Sequence, residues 1–344
     1  MHVDRRDLSH TARAAALWIA LLSFVAAMCV SVCVAAPAAQ TPLKSGKALL
    51  EQGKLAEAKQ RLTEAVAREP ANSEAYEALG RAHLRSGDFD KAIECAKRAV
   101  ALADSVPACH LLLAQGYGVK AMRSNPVTAL GAARSAKREW ERTIVLDPQN
   151  VEARSDLVDF HTAAPGVAGG SLAEAERQAA VLERLHPLSG AYAWAKIWDK
   201  RKQADKVEAS LRRAVPLDTS STSDARNVLG LFLQNEKRYA VAESLYQAML
   251  AERPGDLGAT YQLGRACLLA GVHLDRAQQC FERYLESPPP PNNPSHAGAH
   301  WRLGMVLDRK GDRLAAIAEV RKAVEMDPKD KEIRATLKEL ERKK

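Results

Sequence analysis

The sequence predicts an all-α protein, a solenoid of about eight helix pairs that ends in a C-terminal capping helix. Two observations lead to this fold class. Hydrophobic residues make up 47% of the 344 residues but aromatic residues only 5%, and the apolar share leans on Ala and Leu, which favours helices over sheets. Small and apolar residues also recur at a fixed interval, as in stacked repeats. The 19 glycines, 16 prolines and 6 cysteines exclude collagen-like chains and dense disulfide scaffolds.

The amino-terminal segment, residues 1–38, is predicted to be an export signal and not part of the fold. A flank with three arginines precedes an uncharged apolar stretch, and Ala36 and Ala38 place small residues where a signal peptidase reads them. The apolar core, residues 14–36, is also long enough to cross a bilayer at about 20 residues, so an uncleaved signal anchor is the alternative. In either case we expect the rest of the chain outside the cytoplasm, in the periplasm or tethered to the inner membrane. Membrane contact is expected only through residues 14–36, if they are retained.

A period of 34 residues is visible directly after this segment. Five pairs of similar residues have that spacing: Gly46 and Gly80, Gly53 and Gly87, Leu55 and Phe89, Ala58 and Ala92, and Ala65 and Ala99. A shared period at five kinds of position indicates repeated supersecondary units, each too small to bury its apolar face alone.

The second unit, residues 73–106, shows what these repeats resemble. Its small and apolar positions are Tyr76, Leu79, Gly80, Gly87, Ala92 and Ala99. Their spacing resembles the tetratricopeptide repeat (TPR), in which small residues let two antiparallel helices touch and a proline closes the second helix. The resemblance implies a right-handed superhelix of helix pairs. It covers roughly residues 39–330, strongly at both ends and weakly in the middle.

Eight units can be placed along the chain by the residue that closes each second helix. These residues are Pro70, Asp104, Pro148, Pro187, Thr219, Pro254, Pro289 and Pro328. Unit three contains a 10-residue insertion, so we expect longer helices with Asn125 and Pro126 in the turn. Residues 165–171 supply the extra loop of unit four, and Ser171 is expected to cap the next helix. Unit five, residues 188–221, departs furthest from the pattern.

The predicted domain organisation follows from these units. Residues 39–286 hold units one to seven, residues 287–295 form a proline-rich spacer, and residues 296–344 hold the eighth unit and the capping helix. Four consecutive prolines, residues 288–291, favour a stiff spacer. In the last segment, Ile333 and Leu340 fall on one side and charges elsewhere, which is typical of a polar capping helix.

The charge pattern argues against nucleic acid as a partner. The chain carries 50 Lys and Arg against 42 Asp and Glu, a net charge of +8, of which +7 remains without residues 1–38. The positive residues are interspersed with carboxylates, whereas a nucleic-acid surface typically shows a one-sided basic stripe. We therefore expect no nucleic-acid partner.

Motifs for catalysis or metal binding are missing from the sequence. There is no phosphate loop, nucleophile elbow, HExxH or CxxC. His296 and His300 have a spacing that can hold zinc, but no nearby cysteine or carboxylate offers a third ligand, so we interpret both as ordinary helix-start residues. No enzyme activity, cofactor or metal is therefore predicted.

Four cysteines follow the export segment. They are interpreted as isolated buried thiols. Two disulfide bridges remain open alternatives: Cys95 with Cys109, from units two and three, and Cys267 with Cys280, both in unit seven.

The resemblance places the binding function on the concave surface, which the first helix of each unit mainly forms. It implies that a peptide binds there. The predicted peptide-binding residues in the last three units are Asn227, Leu231, Tyr261, Gln262, Arg265, Trp301, Arg302 and Met305. The sequence thus predicts a non-catalytic protein-protein interaction scaffold of the cell envelope that binds a peptide or helix of another protein in this groove.

Other functions stay open at this point. The degenerate middle, residues 151–221, could form the ligand pocket of an enzyme or of an accessory subunit. The exposed end of the stack could instead support self-association of an assembly factor. A further alternative is that the eight residues only complete the packing between repeats.

Overall fold

The computed structural model describes residues 41–219, 224–291 and 293–342. These residues form seventeen α-helices and two single 3-10 turns, Gly166–Ala168 and Val215–Leu217, and they contain no strand. The predicted all-α class is confirmed. The predicted export segment, residues 1–38, lies outside the described residues. Within the described ranges, no helix is both long and apolar enough to span a bilayer.

Eight consecutive helix pairs and one terminal helix account for the seventeen helices, as predicted. Contacts divide the chain into two compact parts, which we call the N-terminal part, up to Asp104, and the C-terminal part, from Ser105 onward. The N-terminal part holds the pairs α1 (Pro42–Glu51) with α2 (Leu55–Arg68) and α3 (Ser73–Arg85) with α4 (Phe89–Leu102). Its core includes Leu50, Leu62 and Leu79. The Arg85 guanidinium donates to the Leu50 carbonyl at 2.8 Å and so joins α1 to α3.

The C-terminal part holds the other six pairs and the terminal helix. In chain order its helices are α5 (Pro107–Arg123), α6 (Pro126–Leu146), α7 (Val151–Ala163), α8 (Leu172–Leu185), α9 (Pro187–Lys200), α10 (Ala204–Ala214), α11 (Asp224–Asn235), α12 (Tyr239–Glu252), α13 (Leu257–Ala270), α14 (Leu274–Leu285), α15 (His296–Arg309), α16 (Arg313–Met326) and α17 (Lys331–Arg342). The largest core cluster runs from α9 to α15 and includes Tyr246 and Phe281, which are fully buried.

The residues predicted to close the units mark the helix ends closely. Helices α2, α4, α6, α8, α12 and α16 each end two residues before the predicted closing position. Proline explains most of these ends, because it restricts the residue before it to an extended backbone and cannot donate to the preceding turn. At Pro187 the same residue also begins α9, as its first helical position.

The insertion of the third pair lengthens both of its helices, as predicted. Helix α5 has 17 residues and α6 has 21. The Asn125 side chain caps α6 by accepting from the Thr128 amide at 3.1 Å. In the fourth pair, the Ser171 hydroxyl accepts from the Glu174 amide at 3.3 Å, so the predicted cap of α8 is also confirmed.

Glycines on the first helix of several pairs allow the second helix to approach closely. A Cβ on Gly46 would lie 2.6 Å from Leu62 Cγ, and one on Gly304 would lie 2.9 Å from the Ala316 carbonyl oxygen. Both distances are too short for a real contact. The small residues that define the repeat are therefore required by packing between the two helices of a pair.

The fifth pair, α9 and α10, adds aromatic packing along α9 to the contact between its two helices. Trp194 and Trp198 stack with their ring centroids 5.4 Å apart, and the Lys206 ammonium lies 4.4 Å from the Trp198 ring. The Trp194 indole donates to Glu183 on α8 at 3.1 Å. These contacts explain why this pair departs from the repeat pattern and is still folded.

The loop between α14 and α15 connects the last two pairs. The Tyr284 hydroxyl donates to the Pro294 carbonyl at 2.6 Å, and a His296 ring nitrogen lies 2.9 Å from the Ser287 carbonyl. His300 instead lies 2.6 Å from Glu319, so the two histidines have separate partners. The terminal helix α17 buries Ile333 and Leu340, as a capping helix should.

The four cysteines of the described residues are not joined in disulfides, so neither of the two alternative bridges is formed. Cys109, Cys267 and Cys280 are buried, and Cys95 is half-buried.

Candidate functional site

Five of the eight residues predicted to bind a peptide line one cavity of about 360 Å³ in the C-terminal part. We call it the arginine cavity. Its walls come from α13, α15 and the turn before α17. The lining residues are Tyr261, Gln262, Arg265, Pro294, Ser295, Ala297, Gly298, Trp301, Arg302, Asp327, Asp330 and Ile333.

The other three predicted residues lie elsewhere. Asn227 is half-buried on α11 and lines neither this cavity nor the larger groove described below. Leu231 is 37% exposed and lines that groove. Met305 is half-buried and packs against the core between α13 and α15.

Local helix geometry brings the cavity residues together. Tyr261 and Arg265 are four residues apart on α13, so they share one helix face. Asp256 caps α13 by accepting from the Ala259 amide at 2.9 Å, and Ser295 caps α15 by accepting from the Gly298 amide at 3.3 Å. These caps fix where each helix begins and hence which residues face the cavity.

The floor of the cavity is an aromatic cluster. Tyr261 is only 2% exposed, and its ring meets Phe281 edge-on with centroids 5.4 Å apart and Tyr284 at 5.0 Å. Burial raises the pKa of the Tyr261 phenol, which therefore stays neutral. Tyr261 thus acts as a rigid apolar surface beneath the polar groups.

Arg302 lies on this floor. Its guanidinium carbon is 5.6 Å from the centre of the Tyr261 ring and 4.9 Å from that of Trp301, within cation-π range of both. Burial, and next the positive charge of Arg265, lower the pKa of Arg302. No described carboxylate forms a salt bridge with it. The side chain is held by aromatic rings while its charge is left without an ionic partner.

Arg265 belongs to an amide network that connects α11 to α13. Its guanidinium donates to the Gln234 side-chain oxygen at 2.5 Å, and the Gln234 amide donates to the Gln262 carbonyl at 3.2 Å. Arg265 also forms no salt bridge within the described ranges. The side-chain oxygen of Gln262 is buried and has no hydrogen-bond partner there.

The opposite wall comes from the capping helix. The Trp301 indole donates to the Thr336 hydroxyl on α17 at 2.9 Å. Asp330 caps α17 by accepting from the amides of Glu332 and Ile333 at 2.8 and 3.1 Å. Its carboxylate is therefore largely committed to the helix end, and the other carboxylate of the lining, Asp327, accepts from the Lys329 amide at 3.2 Å. The two arginines are the cationic groups of the cavity.

This arrangement suits polypeptide chemistry. Two guanidiniums without ionic partners can bind a carboxylate through charge-assisted hydrogen bonds. An unpaired buried amide oxygen can accept from a peptide N–H, which would remove the free-energy cost of leaving it unsatisfied. Aromatic faces beside these groups add apolar area.

A larger groove of about 800 Å³ lies among α7, α9, α10 and α11, and we call it the middle groove. Most of its lining residues come from the degenerate segment, residues 151–221, and the others come from α11. Its lining is mainly apolar, with charged residues among it, and consists of Ser155, Val158, Asp159, Thr162, Ala163, Ser189, Tyr192, Ala193, Ala195, Lys196, Asp199, Lys200, Val207, Leu211, Val228, Leu231, Phe232 and Asn235. Alanines on α9 leave this space open because they are too short to fill it.

Some features of these sites were missed from the sequence. Gln234 falls at a groove position of the repeat pattern, but no sequence spacing predicts its contact with Arg265, 31 positions away in the next pair. Asp330 could have been noticed, because an aspartate just before a charged amphipathic helix is typical of an N-cap. The sequence predicts only a capping role for that helix and not a wall of the site.

Comparison with known families agrees with the repeat pattern. The tetratricopeptide repeat model matches residues 43–107 and 268–331. The matches lie at both ends of the solenoid and leave out the middle, where the resemblance was weak. These two segments are therefore similar to tetratricopeptide repeats, which generally form scaffolds for binding other proteins. No curated protein matches the sequence.

Three solved structures to which this chain is similar are two repeat proteins and one complex. A tetratricopeptide repeat protein from Parabacteroides merdae is 16% identical, with a TM-score of 0.48 over 87% of this chain and 97% of its own. A thermophilic TPR protein of Thermus thermophilus is 20% identical, with a TM-score of 0.40 over 67% and 98%. The APC/C hetero-tetramer Cut9-Hcn1 is 15% identical, with a TM-score of 0.47 over 87% and 55%.

Proposed function

We propose that this protein is a non-catalytic interaction scaffold of the cell envelope that binds an extended segment or helix of another protein in the arginine cavity. The observation that carries the proposal is the pair of arginines, Arg265 and Arg302, which line one cavity without an ionic partner among the described residues. A carboxylate of the bound segment would supply that partner. The unpaired Gln262 oxygen would accept from the backbone of the segment.

The test of the cavity begins with a partner isolated by crosslinking in the periplasmic fraction and continues with affinity measurements on purified protein. Arg265→Gln and Arg302→Gln should each weaken binding by at least about 2 kcal/mol, the size expected at a hot spot. We expect little change in melting temperature, because neither arginine is part of a salt bridge. Calorimetric titration of the partner with each variant measures the effect.

Arg212→Gln is the matched control, because it also removes one guanidinium but lies on α10, paired with Glu208. It should leave the affinity unchanged. If Arg265→Gln and Arg302→Gln lower the melting temperature and keep wild-type affinity for the folded protein, these residues belong to the packing between repeats and the cavity proposal is wrong.

A second candidate function is supported by the size of the middle groove. At about 800 Å³ it could hold a ligand, as in an accessory or enzyme subunit. Leu231→Glu places a charge in this apolar groove without touching the arginine cavity. Loss of binding in Leu231→Glu, with both arginine variants unaffected, would favour the second candidate.

The envelope location is a separate part of the proposal and rests on the sequence of residues 1–38. We expect the native protein to begin after Ala38 and to be soluble in the periplasm, because the small residues at 36 and 38 suit the peptidase. Mass spectrometry of the amino terminus measures this directly. An intact segment in the membrane fraction would mean an inner-membrane anchor, and an intact segment in the cytoplasm would contradict export altogether.

A further inference from the structure

A carboxylate, a thiol and an imidazole meet between the sixth and seventh helix pairs, outside both cavities. Glu243 lies on α12, Cys267 on α13, and His273 in the turn before α14. One possible ligand atom from each residue lies within 4.8 Å of the other two. Glu243 and Cys267 are buried, while His273 is exposed, so the cluster reaches the surface on one side.

The Glu243 carboxylate is held from one side. Its Oε1 accepts from the Arg276 guanidinium at 2.5 Å and from the Gln247 amide at 3.0 Å. Nδ1 of His273 lies 2.9 Å from Oε1 and 3.1 Å from Oε2. The Arg276 and Gln247 donors therefore both use Oε1, and the Cys267 thiol also forms a hydrogen bond with this carboxylate.

The Cys267 thiol completes the set. It is fully buried, and burial, then the nearby Glu243 charge, raises its pKa to about 12. Without a metal the thiol is therefore protonated. A divalent cation would replace that proton, because thiolate and not thiol is the metal ligand.

We propose that Glu243, Cys267 and His273 form a binding site for one Zn²⁺ ion. Sulfur, imidazole nitrogen and carboxylate oxygen are the three ligand types that zinc takes in proteins, and three protein ligands plus a water complete a tetrahedron. The water would enter beside His273. Binding converts the Cys267 S–H to a thiolate–zinc bond and releases one proton to solvent. The thiolate and the carboxylate offset the two charges of the ion.

Arg276 is the group that opposes a cation here, because its positive charge lies against Glu243. Its hydrogen bond goes to Oε1, however, and a carboxylate that binds zinc through one oxygen is commonly held by a donor at the other. Arg276 and Gln247 therefore act as positioning residues for the ligand carboxylate. The ion would tie α12 to α13 and to the turn that follows it, and so fasten the sixth helix pair to the seventh.

The test uses the purified full chain, reduced and freed of metal, with Co²⁺ as a spectroscopic probe and Zn²⁺ as competitor. We expect one equivalent of Co²⁺ to give a thiolate-to-cobalt charge-transfer band that Zn²⁺ abolishes. Cys267→Ser should remove the band. His273→Asn should weaken Zn²⁺ affinity at least tenfold, since even outer-shell changes cost that much. Asparagine is chosen because His273 has a φ of +52°, which asparagine tolerates.

Cys280→Ser is the matched control, since Cys280 is a buried thiol on the neighbouring helix α14 that is not part of the cluster. It should keep both the band and the affinity. Absence of a charge-transfer band in the wild-type chain, its persistence in Cys267→Ser, or unchanged Zn²⁺ affinity in His273→Asn would each overturn the proposal. His273→Asn decides the matter if Cys267→Ser does not fold, because position 273 is exposed.

Discussion

Asp156→Asn is expected to stabilise the protein by about 2 to 4 kcal/mol at pH 8 and by almost nothing at pH 3.5. Asp156 lies on α7, where burial, and next the negative charge of Glu152, raises its pKa to about 7. A carboxylate ionised at this position is poorly solvated. Asparagine keeps the shape, and it keeps an oxygen that can accept from the Trp140 indole, which donates to Asp156 at 2.9 Å.

The direction of the pH effect follows from proton binding. The ordinary pKa of aspartate is near 4, so between pH 4 and 7 the folded protein binds a proton at Asp156 that the unfolded chain does not. The contribution of protonated Asp156 to the free energy of unfolding is thus fully present below pH 4, and it is lost as the pH rises through 7. At about 1.4 kcal/mol per pKa unit, the full shift corresponds to about 4 kcal/mol, and the partial exposure of the side chain reduces that value.

Urea unfolding of wild type and Asp156→Asn between pH 3.5 and 8 measures this dependence. Asp199→Asn is the control, because Asp199 lies exposed on α9 and its substitution should change the stability by less than about 0.5 kcal/mol. A stability difference between wild type and Asp156→Asn that is constant with pH would contradict the assignment of the raised pKa to Asp156.

Phe281→Ala is expected to destabilise the C-terminal part by about 3 to 5 kcal/mol, the usual cost of removing a large buried side chain. Phe281 is fully buried on α14 and packs edge-on against Tyr261. Its ring also fills the space beside Gly264, where an added Cβ would lie 3.2 Å from Cζ. The cavity left behind would therefore open between the two helices of the seventh pair.

The loss of stability in Phe281→Ala should be largest in the helices near position 281, since a repeat contacts mainly its neighbours. Hydrogen exchange read by mass spectrometry should show faster exchange in α13 to α16, while α1 to α4 stay protected. Leu314→Ala removes a side chain that is 84% exposed and should have little effect on either measurement. Uniform loss of protection along the whole chain would contradict this expectation and indicate a single cooperative unit.

Much of the fold could be predicted because packing within each repeat requires particular residue types at fixed positions. Close contact at Gly46 needs the absence of a Cβ, and a proline two residues beyond a helix ends that helix. Such requirements act over a few residues and survive in the sequence as a period. The fifth pair was the weakest prediction, because bulky tryptophans interrupt its pattern, and the structure stacks Trp194 on Trp198 along α9.

The site was less predictable, because it depends on contacts between different helices. Spacing along one helix correctly grouped Tyr261 with Arg265. It could not show that Tyr261 would be almost completely buried, which depends on Phe281 and Tyr284 from the next helix. The cluster of Glu243, Cys267 and His273 has no sequence motif at all, since its members come from two helix pairs and a turn.

The hydrogen bond from Trp301 to Thr336 links the arginine cavity to the last helix of the chain. Helix α17 has only two buried residues, Ile333 and Leu340, and elements with few buried contacts open more readily than the rest of a fold. A wall of the cavity thus belongs to a helix that is expected to open readily. Any ligand that bridges Arg302 and α17 would hold this helix closed, and by thermodynamic reciprocity the opening of α17 would lower the affinity for that ligand. The local stability of α17 would then limit the lifetime of the complex.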